Sequence, residues 1–265
     1  MQPIAIDATQ IASWVSRLWW PSLRIAAFLA TAPLTTGTVV PTRIKVVLCV
    51  ALTALVAPLA HAPAELSIFS GAGVWAAIQE ILIGAAVGMV VQLSFEALIM
   101  AGQTISMTMG LGFATMVDPL HGTQTAVIGQ LFSVLATLTY LALNGHLILL
   151  GSLVDSFQSL PIGAANIDQN FLRSVAVWGA GIFETGLLIA LPGVIALIIV
   201  TGALGVITRA APQLNLFGIG FPITLLAGFF VLMVGMNGIM VGVSTLLQSA
   251  LTEVIELVSP ARMVH

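Results

Sequence analysis

Six long apolar stretches alternate with short polar breaks along the chain. They run over Ile11–Ala32, Ile44–Ala60, Val74–Ala101, Thr123–Leu150, Ser174–Thr208 and Leu216–Leu251. The breaks carry turn-forming residues: TAPLTTGTVVPTR, HAPAELSIFSGAG, the methionine-bearing SMTMGLGFATMVDP, DSFQSLPIGAANIDQN and RAAPQLN. A bilayer core takes about 20 helical residues, so the pattern predicts about six spans.

The lengths of the stretches matter more than their number. At a rise of 1.5 Å per residue, Val74–Ala101 reaches roughly 42 Å and Ser174–Thr208 roughly 52 Å. Tilt absorbs only part of that excess. The longer helices are therefore expected to bend, break or project beyond the lipid. Pro192 is the expected break in the fifth stretch and glycine steps are the expected breaks in the sixth. Bent helical hairpins in a single membrane domain fit better than six straight rods.

Composition agrees. The chain of 265 residues is 59% hydrophobic and 6% charged, with a mean hydropathy of +1.13. A soluble surface needs roughly 25% charged residues. The lone cysteine, Cys49, lies inside an apolar stretch, which excludes a disulfide framework or a cysteine metal cluster. The net charge of −3 comes without a basic cluster, so no nucleic-acid partner is expected. MQPIAIDATQ lacks Lys and Arg and contains Asp7, unlike a cleavable signal, so the first stretch is expected to persist as structure. Trp14, Trp19, Trp20, Trp75 and Trp178 lie in or near the starts of stretches and suggest an interfacial belt. In a six-span arrangement Arg43, Lys45 and Arg209 share the cytoplasmic face, with Arg173 and Arg262 on the other.

Few residues carry candidate chemistry. Glu80, Glu96 and Glu184 fall inside apolar stretches. One reading is a proton relay or ion site; the other places them at subunit contacts or beyond the lipid, which the overlong helices favour. No lysine or arginine inside the stretches has a spacing that obviously pairs with them. His146 follows Asn144 and Gly145 and is expected at a bend, as a structural histidine. His61, His121 and His265 do not stand at helical ligand spacing, so no metal is expected. GLGFAT lacks the third glycine of a dinucleotide loop. No Ser-His-Asp set, phosphate loop or HExxH motif occurs, so neither an enzyme nor a cofactor is expected. Gly84/Gly88 and Gly238/Gly242 have the spacing that lets helix backbones approach closely. Four of the ten methionines fall between Met100 and Met116. Methionine adapts to irregular gaps and glycine permits unusual backbone conformations, so this loop suits either a deformable seal or ordinary packing.

Three stretches carry a resemblance: GLGFATMVDP (Gly110–Pro119), LALNGHLILLGSLVDSFQSLPIG (Leu141–Gly163) and RAAPQLNLFGIGFPITLLAGF (Arg209–Phe229). In order and spacing they resemble the FliR family of flagellar type III export-gate proteins, which includes the virulence SctT proteins. The Arg209–Pro222 pattern, R-x-x-P-Q-x-N-x-F-x-I-G-F-P, is the most specific part and looks flagellar.

The resemblance implies an all-α, membrane-associated protomer of a helical export-gate ring. It would have a FliP-like part over residues 1–173 and a FliQ-like hairpin over 174–265. The implied partners are FliP, FliQ, FlhB, the flagellar basal body, exported unfolded flagellar subunits and membrane lipid. The implied place is the inner membrane, as a multi-pass protein. A separate FlhB is expected because the sequence stops soon after Pro260 without an FlhB-like extension. The family's plug loop corresponds to 106–122. By that likeness Met107, Met109, Phe113 and Met116 would seal the gate, Gly110 and Gly112 would be its flexible points, and Asp118 and Pro119 would fix its exit. Asn144, His146, Asp155, Arg209, Pro212, Gln213, Asn215, Phe221 and Pro222 would be structural or subunit-packing residues. Proton-motive force and an associated ATPase would supply the energy. Three other readings stay open: a virulence injectisome subunit; a proton-coupled small-molecule transporter, which calls for a paired internal repeat that the chain does not display; and a purely structural scaffold.

Overall fold

The computed structural model describes residues 8–36, 40–60, 63, 66–68, 70–112, 127–163, 167, 169–211 and 220–259, with backbone alone at 8–16, 169 and 170. The described residues form helices and no strand: α1 Ala8–Thr31, α2 Thr42–Val56, α3 Gly71–Thr108, α4 Val127–Ala142, α5 Gly145–Ser159, α6 Gln169–Ala210 and α7 Phe221–Val258. The all-helical expectation holds.

Among the described residues three helices, α3, α6 and α7, are long and apolar enough to cross a membrane, and a fourth span arises if the bent pair α4–α5 is counted as one, against the six expected. With 15 residues, α2 reaches roughly 22 Å, short of a core of about 30 Å. The first stretch contains Arg17 and Arg24.

The breaks also lie elsewhere. α6 runs unbroken through Pro192, and α7 runs unbroken through its glycines. Proline removes one hydrogen bond, whereas breaking a helix in an apolar setting strands several backbone groups, so the helix persists. The break falls in the fourth stretch, at Leu143–Asn144, where the helix axes differ by 65°. Asn144 takes a left-handed conformation (φ 54°, ψ 28°), which asparagine tolerates better than most residues. Its carbonyl restarts the helix by accepting from the Leu147 and Ile148 N–H groups at 2.9 and 3.1 Å. His146 stands at this bend as expected.

The chain packs as two compact units. The first comprises residues 1–92, 144–178 and 250–265. Here Gly84 and Gly88 of α3 form a notch for α1: a methyl at residue 84 would overlap the Arg24 carbonyl, and one at 88 would overlap the Thr31 hydroxyl. The small-residue pair thus serves packing within the chain. The Trp178 indole N–H donates to the Val90 carbonyl at 3.2 Å. The second unit comprises 93–143 and 179–249. Its core gathers Ala101, Ile105 and Met109 of α3, Ile128 and Phe132 of α4, Ala190 and Leu197 of α6, and Leu232 of α7. α4 approaches Gly102, and Ala97 approaches Gly186, closely enough that a methyl at either glycine would meet backbone.

Apolar surface is distributed unevenly. Within the chain 56% of the apolar stretch of α3 is buried, against 17% for α6 and 17% for α7. The tryptophans do not form a uniform belt: Trp19 and Trp75 are exposed, Trp20 is fully buried, and the Trp14 side chain lies outside the described set.

Candidate functional site

Arg24 of α1 and Glu80 of α3, 56 residues apart in sequence, meet inside the first unit. Arg24 Nε donates to Glu80 Oε2 at 2.7 Å, and one terminal nitrogen donates to Oε1 at 2.9 Å. Both side chains are fully buried. The remaining guanidinium hydrogens reach the end of α5: the Ser156 carbonyl at 2.7 Å, Ser156 Oγ at 3.0 Å and the Leu160 carbonyl at 2.8 Å. Ser156 Oγ gives its own proton to the Leu153 carbonyl at 2.6 Å, leaving its lone pair free to accept. The Phe157 ring lies 4.3 Å from the guanidinium carbon, within cation–π range.

All five guanidinium donors therefore find acceptors, a condition under which a buried charge pair is tolerable. The α5 carbonyls belong to a helix C-terminus, whose partial negative charge suits a cation. Gly84 explains the register. It lies one turn after Glu80 and accepts the Arg24 backbone, bringing the guanidinium level with the carboxylate.

This arrangement corrects the expectation that no basic residue obviously pairs with the intramembrane acids. Glu80 is held by Arg24, a pairing invisible to helical spacing because it joins separate helices. The usable signal was the arginine itself: a cation in an apolar stretch calls for an acid. Glu96 and Glu184 are exposed on α3 and α6.

The second notable region is the end of α3. The Gly110 N–H donates to the Met107 carbonyl at 3.0 Å and the Leu111 N–H to the Ser106 carbonyl at 3.1 Å. Gly110 has φ +85°. These bonds with a left-handed glycine form a Schellman termination, and Leu111 packs on the core cluster that contains Ile105. Met109 lies inside that cluster while Met107 is 69% exposed. Gly112 is the last residue of this segment among those described. Phe113, Met116, Asp118 and Pro119 lie outside the described residues, as do Pro212, Gln213 and Asn215.

Of the remaining candidates, Arg209 stands in the last turn of α6, where a cation complements the helix dipole. Phe221 and Pro222 open α7, where proline's missing N–H has no partner to lose. His146 Nδ1 is buried and finds no partner among the described residues. Asp155 lines an open groove of about 470 Å³ with Ser152, Gln158, Ser159, Ile255, Val258 and Ser259. Among the described residues no three His, Cys, Asp or Glu side chains are grouped to hold a metal.

Residues 15–250 match the family described as bacterial export proteins, family 1. The chain belongs to this family. Members with similar sequences include the flagellar biosynthetic protein FliR of Pectobacterium carotovorum subsp. carotovorum, 41% identical over 230 residues, covering 86% of this chain and 87% of that one. The protein of the same name from Escherichia coli (strain K12) is 40% identical over 225 residues, covering 85% and 86%. That of Aquifex aeolicus (strain VF5) is 32% identical over 217 residues, covering 80% and 82%. Family membership and these flagellar relatives make the chain a subunit of a flagellar protein-export apparatus, and its apolar helices fit a multi-pass membrane protein.

Proposed function

We propose that the chain is the structural and gating protomer of the flagellar export gate, assembled with FliP and FliQ in the inner membrane, with FlhB beside the entrance. In this reading residues 1–173 are the FliP-like part and 174–265 the FliQ-like part. Residues 106–122 form a deformable stopper across the passage for unfolded flagellar subunits. The chain gates passively, and energy is supplied by other components.

The observation that carries the reading is the uncovered apolar surface of α6 and α7. Large exposed apolar side chains extend from Leu172 to Ile207 on α6 and from Phe221 to Ile255 on α7. Each interval covers roughly 50 Å of helix, well beyond a hydrocarbon core of about 30 Å. Lipid alone does not cover that length, which supports a share for other protein subunits. Glu80, already paired, and Glu96 and Glu184, on exposed positions, give little support to a coupling site for a small-molecule transporter.

Deleting Met107–Met116 in cells carrying the whole apparatus tests the stopper. The reading expects raised resting ion leakage with the chain still in the membrane; unchanged leakage with normal assembly overturns it. Tagged chain is expected to copurify with FliP and FliQ, and a stable, functional monomer in detergent overturns the assembly.

A further inference from the structure

In the second unit α6 turns one side to the core and the other outward. Ile182, Gly186 and Ala190 are buried, and a Cβ at residue 186 would run into the Ala97 carbonyl. Glu184 is two residues from both Ile182 and Gly186, about half a helical turn, so it stands on the side away from that core. It is exposed there. Leu187, Leu188, Ile195 and Ile199 continue the outward side, each half exposed or more. One turn before the acid, Ala180 and Gly181 are exposed, and a Cβ at residue 181 would meet nothing within 4 Å. Nearly bare backbone beside the carboxylate leaves room for a long side chain to lie along the helix and reach it.

The carboxylate has no counter-charge of its own. Between Arg173 and Arg209 it is the one charged residue of the sequence. Those arginines lie about three and seven turns away along α6, whereas ion pairs on a helix join residues one turn apart. α3, α4 and α7, which build the core of this unit with α6, contain no lysine or arginine. Among the described residues no cation pairs with Glu184. Exposed apolar side chains continue on both sides of it, from Leu172 to Ile207. The acid therefore lies within the apolar surface and not at its end, where lipid headgroups collect. An unpaired carboxylate is costly under lipid tails and under apolar protein alike.

Resting on the assembly reading above, we infer that the protein subunit covering this side of α6 brings a lysine or arginine to Glu184. The pair is the charged anchor of an otherwise apolar contact. The partner is an apolar helix carrying one basic side chain level with Glu184, and the notch at Ala180 and Gly181 admits its stem. Such a pair fixes the register of two greasy helices that could otherwise slide along each other.

The test purifies tagged chain from cells carrying the complete flagellar export apparatus and measures the other subunits retained. Glu184→Gln keeps the shape and removes the charge. It is expected to lower retention about tenfold or more at an unchanged membrane level of the chain, because the partner's cation is left buried and alone. Glu184→Lys is expected to reduce retention to background, and Glu184→Asp to keep part of it. Motile revertants of Glu184→Lys are expected to change a lysine or arginine of another subunit to aspartate or glutamate. Where Glu184→Gln lowers the level of the chain itself, these revertants decide. Compensating changes confined to this chain would place the cation within it and overturn the anchor. Retention by Glu184→Gln and Glu184→Leu equal to wild type would put the carboxylate in lipid or water, and overturn the anchor while the assembly stands. If the wild-type chain retains no other subunit, the assembly reading itself fails.

Discussion

Arg24 on α1 and Glu80 on α3 form a two-point ion pair sealed from solvent, with contacts of 2.7 and 2.9 Å. The same guanidinium holds the end of α5 through Ser156 and Leu160, so one side chain joins three helices. Removing either partner leaves a buried charge alone. Arg24→Leu and Glu80→Leu are each expected to lower stability by about 3–5 kcal/mol. The double variant should lose less than the sum, because the orphaned charge disappears with its partner. It should not recover fully, because the α5 carbonyls lose their donors. Arg24→Lys should rescue poorly, since an ammonium has three donors and no planar fork. Thermal unfolding in detergent and steady-state membrane level read all four; additive losses would remove the pair as a coupled unit.

The two glycine pairs should behave differently. A methyl at residue 84 meets the Arg24 backbone, whereas a methyl at 238 meets nothing within 4 Å. Gly84→Ala is expected to separate α1 from α3 and cost about 2 kcal/mol or more, as overpacked contacts do. Gly238→Ala is expected to be neutral or to stabilise by about 0.5–1 kcal/mol through helix propensity. Comparable losses at both positions would contradict the notch.

Gly110 ends α3 with φ +85°. Gly110→Val is expected to cost about 1–2 kcal/mol, because a branched side chain resists that conformation, and Gly110→Asn less. Limited proteolysis within residues 109–126 should rise in the order wild type, Asn, Val. Equal cleavage in all three would show that the turn does not control the exit of the helix.

Much of the fold was legible in the sequence, and its misses have physical causes. Each of the six apolar stretches holds a described helix, the fourth holding two, because composition alone separates greasy segments from turn-rich breaks. Asn144–Gly145 marked the bend because those residues tolerate backbone conformations others resist. Pro192 misled, since a helix in apolar surroundings keeps its ladder at the loss of one bond. The Arg24–Glu80 pair stayed hidden because tertiary contacts join residues with no helical spacing between them. The contact between Gly228 and the Met109 side chain was unreadable for a related reason: the sequence carries 25 glycines, and only coordinates reveal which one faces Met109.

The exposed faces of α6 and α7 supply a prediction about assembly. Met233 is 79% exposed within the chain. Met233→Arg is expected to leave the chain's own packing intact yet reduce copurification with FliP and FliQ at least tenfold, an effect of about 1.4 kcal/mol or more, because a charge would be buried at a subunit contact. Undiminished copurification would place that face in water or at a lipid headgroup.

A density map of the assembled apparatus, purified through this chain from cells expressing the flagellar export genes, measures the central proposal most directly. The account predicts protein density from neighbouring subunits against Phe230, Met233 and Val234, and residues 106–122 crossing a central passage. Lipid or detergent along the whole of α6 and α7, with residues 106–122 on the outer surface, would contradict it.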